Sequence, residues 1–236
     1  CPGQRYYSGC GIRFTGSVTQ SGTLYVQCLD TNVNRLPGIL DLVGNCDGVT
    51  GTVRTEGNVV RLSNDGLPNA MIMMYAGNGF CPVVETRART GASVAVKNIT
   101  VGSYANAPEI RVAPSNTLSV GTLRCNGTSS LFKFSVSALA GSSGFGGVDV
   151  TTTLDVKTPI SVDLIDWKAG CGALDIPFLR WKSGTSLTKS DFLLDAHGRD
   201  ADIAIATDED GYNVASLTAP ACVWLMQSDG PIANYE

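Results

Sequence analysis

The ionisable chemistry of this 236-residue chain is concentrated between Asp191 and Asp210. That stretch holds Asp191, Asp195, Asp200, Asp202, Asp208, Glu209 and Asp210, seven of the chain's 21 acids. It also holds the single histidine, His197. Calcium takes about six to eight oxygen ligands, often from a short acidic loop bent at glycine. Thr207-Asp208-Glu209-Asp210-Gly211 has that composition, and Asp200, Asp202, Asp208 and Asp210 are the candidate ligands. The closing glutamate of an EF-hand is missing, and a solvated acidic loop is the alternative reading. No other cofactor is indicated.

Nucleophilic catalysis needs a base beside the nucleophile, usually histidine. His197 sits in the polar run Asp195-Ala196-His197-Gly198-Arg199-Asp200, and no Gly-x-Ser-x-Gly elbow is present. One histidine cannot build a His-rich zinc centre. There is no Walker loop and no dinucleotide glycine fingerprint. The two acids of a glycoside hydrolase can lie far apart in sequence, and nothing nominates a pair here. No catalytic residue is assigned, and the chain reads as a non-enzyme.

Aromatic rings are the other source of binding chemistry, because they grip sugar faces. Trp181, flanked by Arg180 and Lys182, is the best candidate for an exposed contact, followed by Tyr6 and Tyr7. Trp167 and Trp224 are expected in the core. Met71 to Tyr75 is read as a buried strand, with an exposed hydrophobic contact surface as the alternative. Sequons occur at Asn98-Ile99-Thr100 and Asn126-Gly127-Thr128.

These residues must be carried by strands. Apolar and polar residues alternate in Thr23–Leu29, Leu131–Ala138, Val148–Val156 and Ser161–Trp167. Period-two alternation with one polar face predicts antiparallel strands half covered by a core. Asp-Gly, Asn-Gly and Gly-Asn pairs, among them Asp65-Gly66, Asp210-Gly211 and Gly57-Asn58, predict tight hairpins. The expected fold is all-β, an antiparallel β-sandwich or barrel with disulfides. One or two short helices at most are expected, the best over Ser190–Ala196 with Gly198 as its stop.

Cys1, Cys10, Cys28, Cys46, Cys81, Cys125, Cys171 and Cys222 are even in number and lack CxxC spacing. That pattern suits four structural disulfides rather than a metal or redox site. Parity of the cysteines favours a single domain over 1–236, or a small module over 1–65 followed by a sandwich over 66–236. The chain starts at cysteine, which suits removal of an upstream signal, a fragment, or a lipidated N-terminus.

Charged residues are 16% of the chain and the net charge is −4. Soluble domains average roughly 25% charged residues. Without clustered Lys and Arg, nucleic acid is excluded as a partner. No apolar run is long enough to span a bilayer as a helix. Low charge with many Gly, Ser and Thr points to an extracellular protein, or one on a cell or virion surface.

Residues 6–50 add a resemblance. Cys10, Ile12, Thr23-Leu24-Tyr25-Val26-Gln27-Cys28, Ile39-Leu40-Asp41-Leu42 and Gly44-Asn45-Cys46-Asp47-Gly48 are similar to one repeat of the cyanovirin-N-like lectins. The resemblance implies glycan binding. The expected function is an extracellular non-catalytic binding protein, an adhesin or lectin-like domain engaging a glycan or protein receptor. The alternatives are a subunit that assembles with copies of itself in a pilus, filament or virion surface, and a glycan hydrolase using a carboxylate pair.

Overall fold

A strand with one apolar face must lay that face on something, and here it lies on the opposite wall of a coil. The structure, a computed structural model, describes residues 11–27, 38–75, 81–102, 107–125, 132–139, 145–157, 159–166 and 172–221. The first coil carries β1 (Gly11–Phe14), β2 (Thr19–Gln20) and β3 (Thr23–Gln27). The second carries β4 (Ile39–Leu42), β5 (Gly48–Val49) and β6 (Thr52–Glu56). Later coils have two strands each: β7 (Val59–Leu62) and β8 (Gly66–Tyr75), then β9 (Val83–Thr86) and β10 (Ser93–Val101). The series goes on through β11 (Glu109–Arg111), β12 (Thr117–Cys125), β13 (Lys133–Ser137), β14 (Val148–Val156), β15 (Ile160–Ile165) and β16 (Leu174–Trp181). It ends in β17 (Phe192–Asp195), β18 (Asp202–Thr207) and β19 (Asn213–Ala219).

Each strand pairs with its counterpart in the next coil, not with its chain neighbour. A narrow eight-stranded sheet runs β1-β4-β7-β9-β11-β13-β15-β17, parallel throughout. A broad nine-stranded sheet runs β3-β6-β8-β10-β12-β14-β16-β19-β18. Its ladders are parallel up to β16, after which the hairpin β18–β19 adds antiparallel. The molecule is therefore a parallel β-solenoid, and the expected antiparallel sandwich or barrel is corrected. The all-β class stands. Alternation misled because a strand exposed on one side alternates whether its neighbours are parallel or antiparallel.

Residues of one parity point inward along the stack. In the narrow sheet, Leu40, Val60, Val84, Ile110, Phe134 and Val162 occupy successive rungs and are buried. Leu67, Ile72, Ile99, Leu123 and Leu154 face them from the broad sheet. The core turns aromatic toward the C-terminal end, where Phe134 lies 5.8 Å from Phe178 and Phe178 5.8 Å from Phe192. Ladder hydrogen bonds and this continuous apolar column hold the stack together.

The Gly-containing pairs mark corners more often than hairpins. Asp210-Gly211 does close a hairpin, with Gly211 at φ +78° between β18 and β19. Gly57-Asn58 instead turns the chain from the broad to the narrow sheet. Asn58 is buried and ties coils together: its Oδ1 accepts Gly38 N–H, and its Nδ2 donates to Val26 O and Glu56 O. The helix expected over Ser190–Ala196 is a 3-10 turn at Lys189–Asp191 running into β17. Phe192 turns inward and Leu193 outward, so the segment keeps strand parity.

The four-disulfide scheme is also corrected. Cys46 is a free, buried thiol, and no disulfide joins any two of the described cysteines, Cys46, Cys81 and Cys125. Burial is the main force pushing the Cys46 thiol above its usual pKa. It packs as a small apolar side chain, because a continuous solenoid core needs no staple at that point. Cys1, Cys10, Cys28, Cys171 and Cys222 lie outside the described residues.

Candidate functional site

Parallel register stacks like positions, so each outward column is a line of chosen side chains. One column of the narrow sheet reads Arg13, Asp41, Arg61, Glu85, Arg111, Ser135, Asp163, Asp195. The first five alternate in sign. Arg13 pairs with Asp41 at 3.1 Å, Arg61 with Glu85 at 2.5 Å, and Arg111 with Glu85 at 3.8 Å. Glu109, in the adjacent column and 2% exposed, takes Arg111 at 2.8 Å, Lys133 at 3.4 Å and the Ser135 hydroxyl. Burial pushes the Glu109 carboxyl up, but Arg111, Lys133 and the Ser135 bond together hold it below its ordinary pKa.

The column ends on two acids in direct register, Asp163 and Asp195, and His197 joins them. Nε2 of His197 lies 2.8 Å from Asp163 Oδ1, and Nδ1 lies 3.7 Å from Asp195 Oδ1. His197 has φ +52°, a left-handed conformation that swings the ring back over the sheet. Both ring nitrogens face carboxylates, whereas a catalytic triad needs one of them on a nucleophile. The three ligand atoms lie within 4.8 Å of one another, close enough to share a metal ion. Lys133 already brings a cation to Asp163 Oδ2 at 3.1 Å.

The acids proposed for calcium are spread apart by the C-terminal hairpin. Asp208 Oδ2 accepts a bond from Arg180 at 2.8 Å, and its Oδ1 accepts N–H groups of Asp210 and Tyr212. Asp210 takes Arg180 at 3.1 Å, and Asp202 pairs with Lys189. Asp200 and Asp202 line a shallow groove with Leu174 and Thr218. Slight burial raises the Asp208 carboxyl, and the Arg180 and backbone bonds outweigh it, leaving it low. Burial dominates at Asp149, which is raised despite Arg180 at 3.6 Å. The cluster works as a clamp: Arg180, also stacked 3.9 Å from the Tyr212 ring, fastens the hairpin to the last coils.

The broad sheet supplies a group that sequence reading missed. Tyr25, Arg54 and Tyr75 come from three successive coils. The Arg54 guanidinium lies 5.6 Å from the Tyr25 centroid and 4.4 Å from that of Tyr75, and bonds Glu56 at 2.6 Å. Gly102, one coil further, leaves room for the Tyr75 ring, which a Cβ there would overlap. Tyr25 is 56% exposed. Beside this stack runs an in-register row of Thr23, Thr52, Met71, Asn98, Thr122 and Thr153. No local motif announces the stack, since its members are spaced by coil length.

Other nominated residues fall as follows. Trp181 is 2% exposed and points into the core; Arg180 and Lys182 on either side are outward by strand parity. Tyr6, Tyr7, Trp167, Trp224 and Asn126 lie outside the described residues. In β8, Ile72 and Met74 are buried while Met71 and Met73 are half-buried on the broad face. Asn98 sits on that face within β10, its Oδ1 accepting Thr122 N–H at a bulge. No described helix is long and apolar enough to cross a membrane. Comparison with protein-family models, curated proteins and solved structures finds no match to this chain.

Proposed function

We propose that this chain is an extracellular, non-catalytic binding protein that engages glycans on the outer face of its broad sheet. The observation that carries the reading is the Tyr25–Arg54–Tyr75 stack, with Tyr25 open to solvent beside a row of four threonines, Asn98 and Met71. Exposed rings stack on sugar faces, and fixed hydroxyl and guanidinium groups bond sugar hydroxyls. Two charge pairs on this face are satisfied locally, Arg54 with Glu56 and Arg124 with Asp155 at 2.8 Å. A neutral polysaccharide therefore suits it better than a polyanion. The low charge content of the chain supports placement outside the cell or on a surface.

Glycan-array screening followed by calorimetry tests the reading. Tyr25→Ala should weaken binding at least roughly tenfold, as loss of one stacked ring does. An array without a hit, or affinity unchanged in Tyr25→Ala, would overturn it. A second reading, a subunit of an extracellular assembly, rests on a different observation: the first coil leaves Ile12 and Phe14 on solvent, 64% and 37% exposed.

A further inference from the structure

The outward column of the narrow sheet changes its charge pattern toward the C-terminal end. From Arg13 to Arg111 each charged residue meets the opposite sign on the next rung. Asp163 meets Asp195, acid on acid, at a rung spacing of about 4.8 Å. Lys133 does not fill the gap between them. It bonds Asp163 through Oδ2 at 3.1 Å and is shared with Glu109 at 3.4 Å. Oδ1 of Asp163 and Oδ1 of Asp195 turn to His197 instead. An imidazole brings a positive charge only when protonated, and as the neutral ring it is a metal ligand.

We propose that Asp163, Asp195 and His197 bind one transition-metal dication, of the zinc type. Two carboxylates and one imidazole are zinc ligands, with bonds of about 2.0–2.2 Å. Bonds of that length set neighbouring ligand atoms roughly 3–3.5 Å apart. The three ligand atoms here lie within 4.8 Å of one another, and Asp163 Oδ1 and His197 Nε2 are 2.8 Å apart. Metal entry replaces that hydrogen bond, parts the pair by about half an ångström, and draws in the Asp195 carboxylate. The Asp195 side chain is 66% exposed and has room to turn. The ring binds through an unprotonated nitrogen, so a proton on that nitrogen moves to the other one or to solvent. Ligating carboxylates are steadied by outer hydrogen bonds. Lys133 supplies one to Asp163 Oδ2, and the His197 backbone N–H supplies one to Asp195 Oδ1 at 3.1 Å. His197 and Asp163 are both partly exposed, so the dication has an entry path and water completes its shell. Calcium takes about six to eight oxygens, more than this set offers, whereas imidazole suits zinc, copper and nickel. The ion would tie β15 to β17 and to the turn that leads into the C-terminal hairpin. The site lies on the narrow sheet, away from the tyrosine stack, and does not depend on glycan binding.

Titration of the chelator-treated full chain with zinc chloride, followed by calorimetry and by nitrogen-15 NMR of the imidazole, tests it. His197 is the single histidine, so its two ring nitrogens give one assignable pair of signals. Zinc should bind and shift one of the pair strongly while the other nitrogen stays protonated. His197→Ala and Asp195→Asn should each weaken zinc binding roughly 100-fold, the upper end of what even an outer hydrogen-bond partner is worth. Asp175→Asn, an exposed acid of β16 outside the set, should leave affinity unchanged. Excess calcium should not displace the zinc. The ring signals are read on the parent chain, so the measurement stands even if a variant fails to fold. Zinc binding that leaves the ring signals unmoved, equal affinity in His197→Ala, displacement by calcium, or no zinc binding would overturn the proposal.

Discussion

His197 Nε2 lies 2.8 Å from Asp163 Oδ1, although 34 residues separate the two in the chain. Asp163 and Asp195 are direct rung neighbours, and like charges so placed repel. His197→Ala should lower stability by about 1 kcal/mol, the scale of one hydrogen bond. His197→Asn should recover part of the loss, because Asn tolerates the left-handed backbone. Denaturant midpoints report both, and an alanine variant as stable as the parent would show that the two acids need no bridge.

Glu109 makes the narrow sheet acid-sensitive. Its folded pKa lies below the ordinary glutamate value, with Arg111, Lys133 and Ser135 overcoming the effect of burial. A depressed carboxylate contributes its full stability above the unfolded pKa and loses it as pH falls through the folded one. Melting temperature should therefore drop on acidification below the ordinary glutamate range, and Glu109→Gln should flatten that part of the profile. At neutral pH, Glu109→Ala should cost about 1–3 kcal/mol, because the Ser135 hydroxyl and two cations lose this partner while Arg111 and Lys133, both partly exposed, keep Glu85 and Asp163.

Asn58→Ala removes three hydrogen bonds, of which those to Gly38 and Val26 join separate coils and that to Glu56 closes the local turn. The Gly38 N–H and the Val26 and Glu56 carbonyls would lose their partner in a part-buried corner. A loss of about 3 kcal/mol is expected. Hydrogen exchange should quicken first in β6 and β7, the strands on either side of that corner. Uniform exchange across all coils would argue that Asn58 is not a local tie.

Gly102→Ala places a methyl where the Tyr75 ring lies. The ring must move off its bed and away from Arg54. Overpacking of this kind costs about 1–3 kcal/mol. Near-ultraviolet circular dichroism, which reports fixed tyrosine rings, should change with it. Glycan affinity should fall with the same substitution if the stack is the contact surface.

Strand content was readable because alternation is local: Leu131–Ala138 and Val148–Val156 contain β13 and β14, with Phe134 and Val150 facing inward as read. Partner choice was not readable from the same letters. Ile39 stacks on Val59 in the narrow sheet, while Ile160 stacks on Phe192, so the coil length varies along the stack and no fixed period shows. Trp181 illustrates a second limit. Charged neighbours suggested exposure, but parity within β16 sends Trp181 inward and Arg180 outward.

By itself the sequence determined the all-β class, the apolar and polar faces of many strands, and several of the turns, because each depends on residues close in the chain. Only the tertiary structure decided that the strands stack in parallel, that Cys46 stays a free thiol, and which distant side chains meet. The physical reason is that a solenoid carries residues one coil apart onto adjacent rungs roughly 4.8 Å apart. The alternating charges from Arg13 to Arg111 and the Tyr25–Arg54–Tyr75 stack are products of register, and register is set by the lengths of the corners between strands.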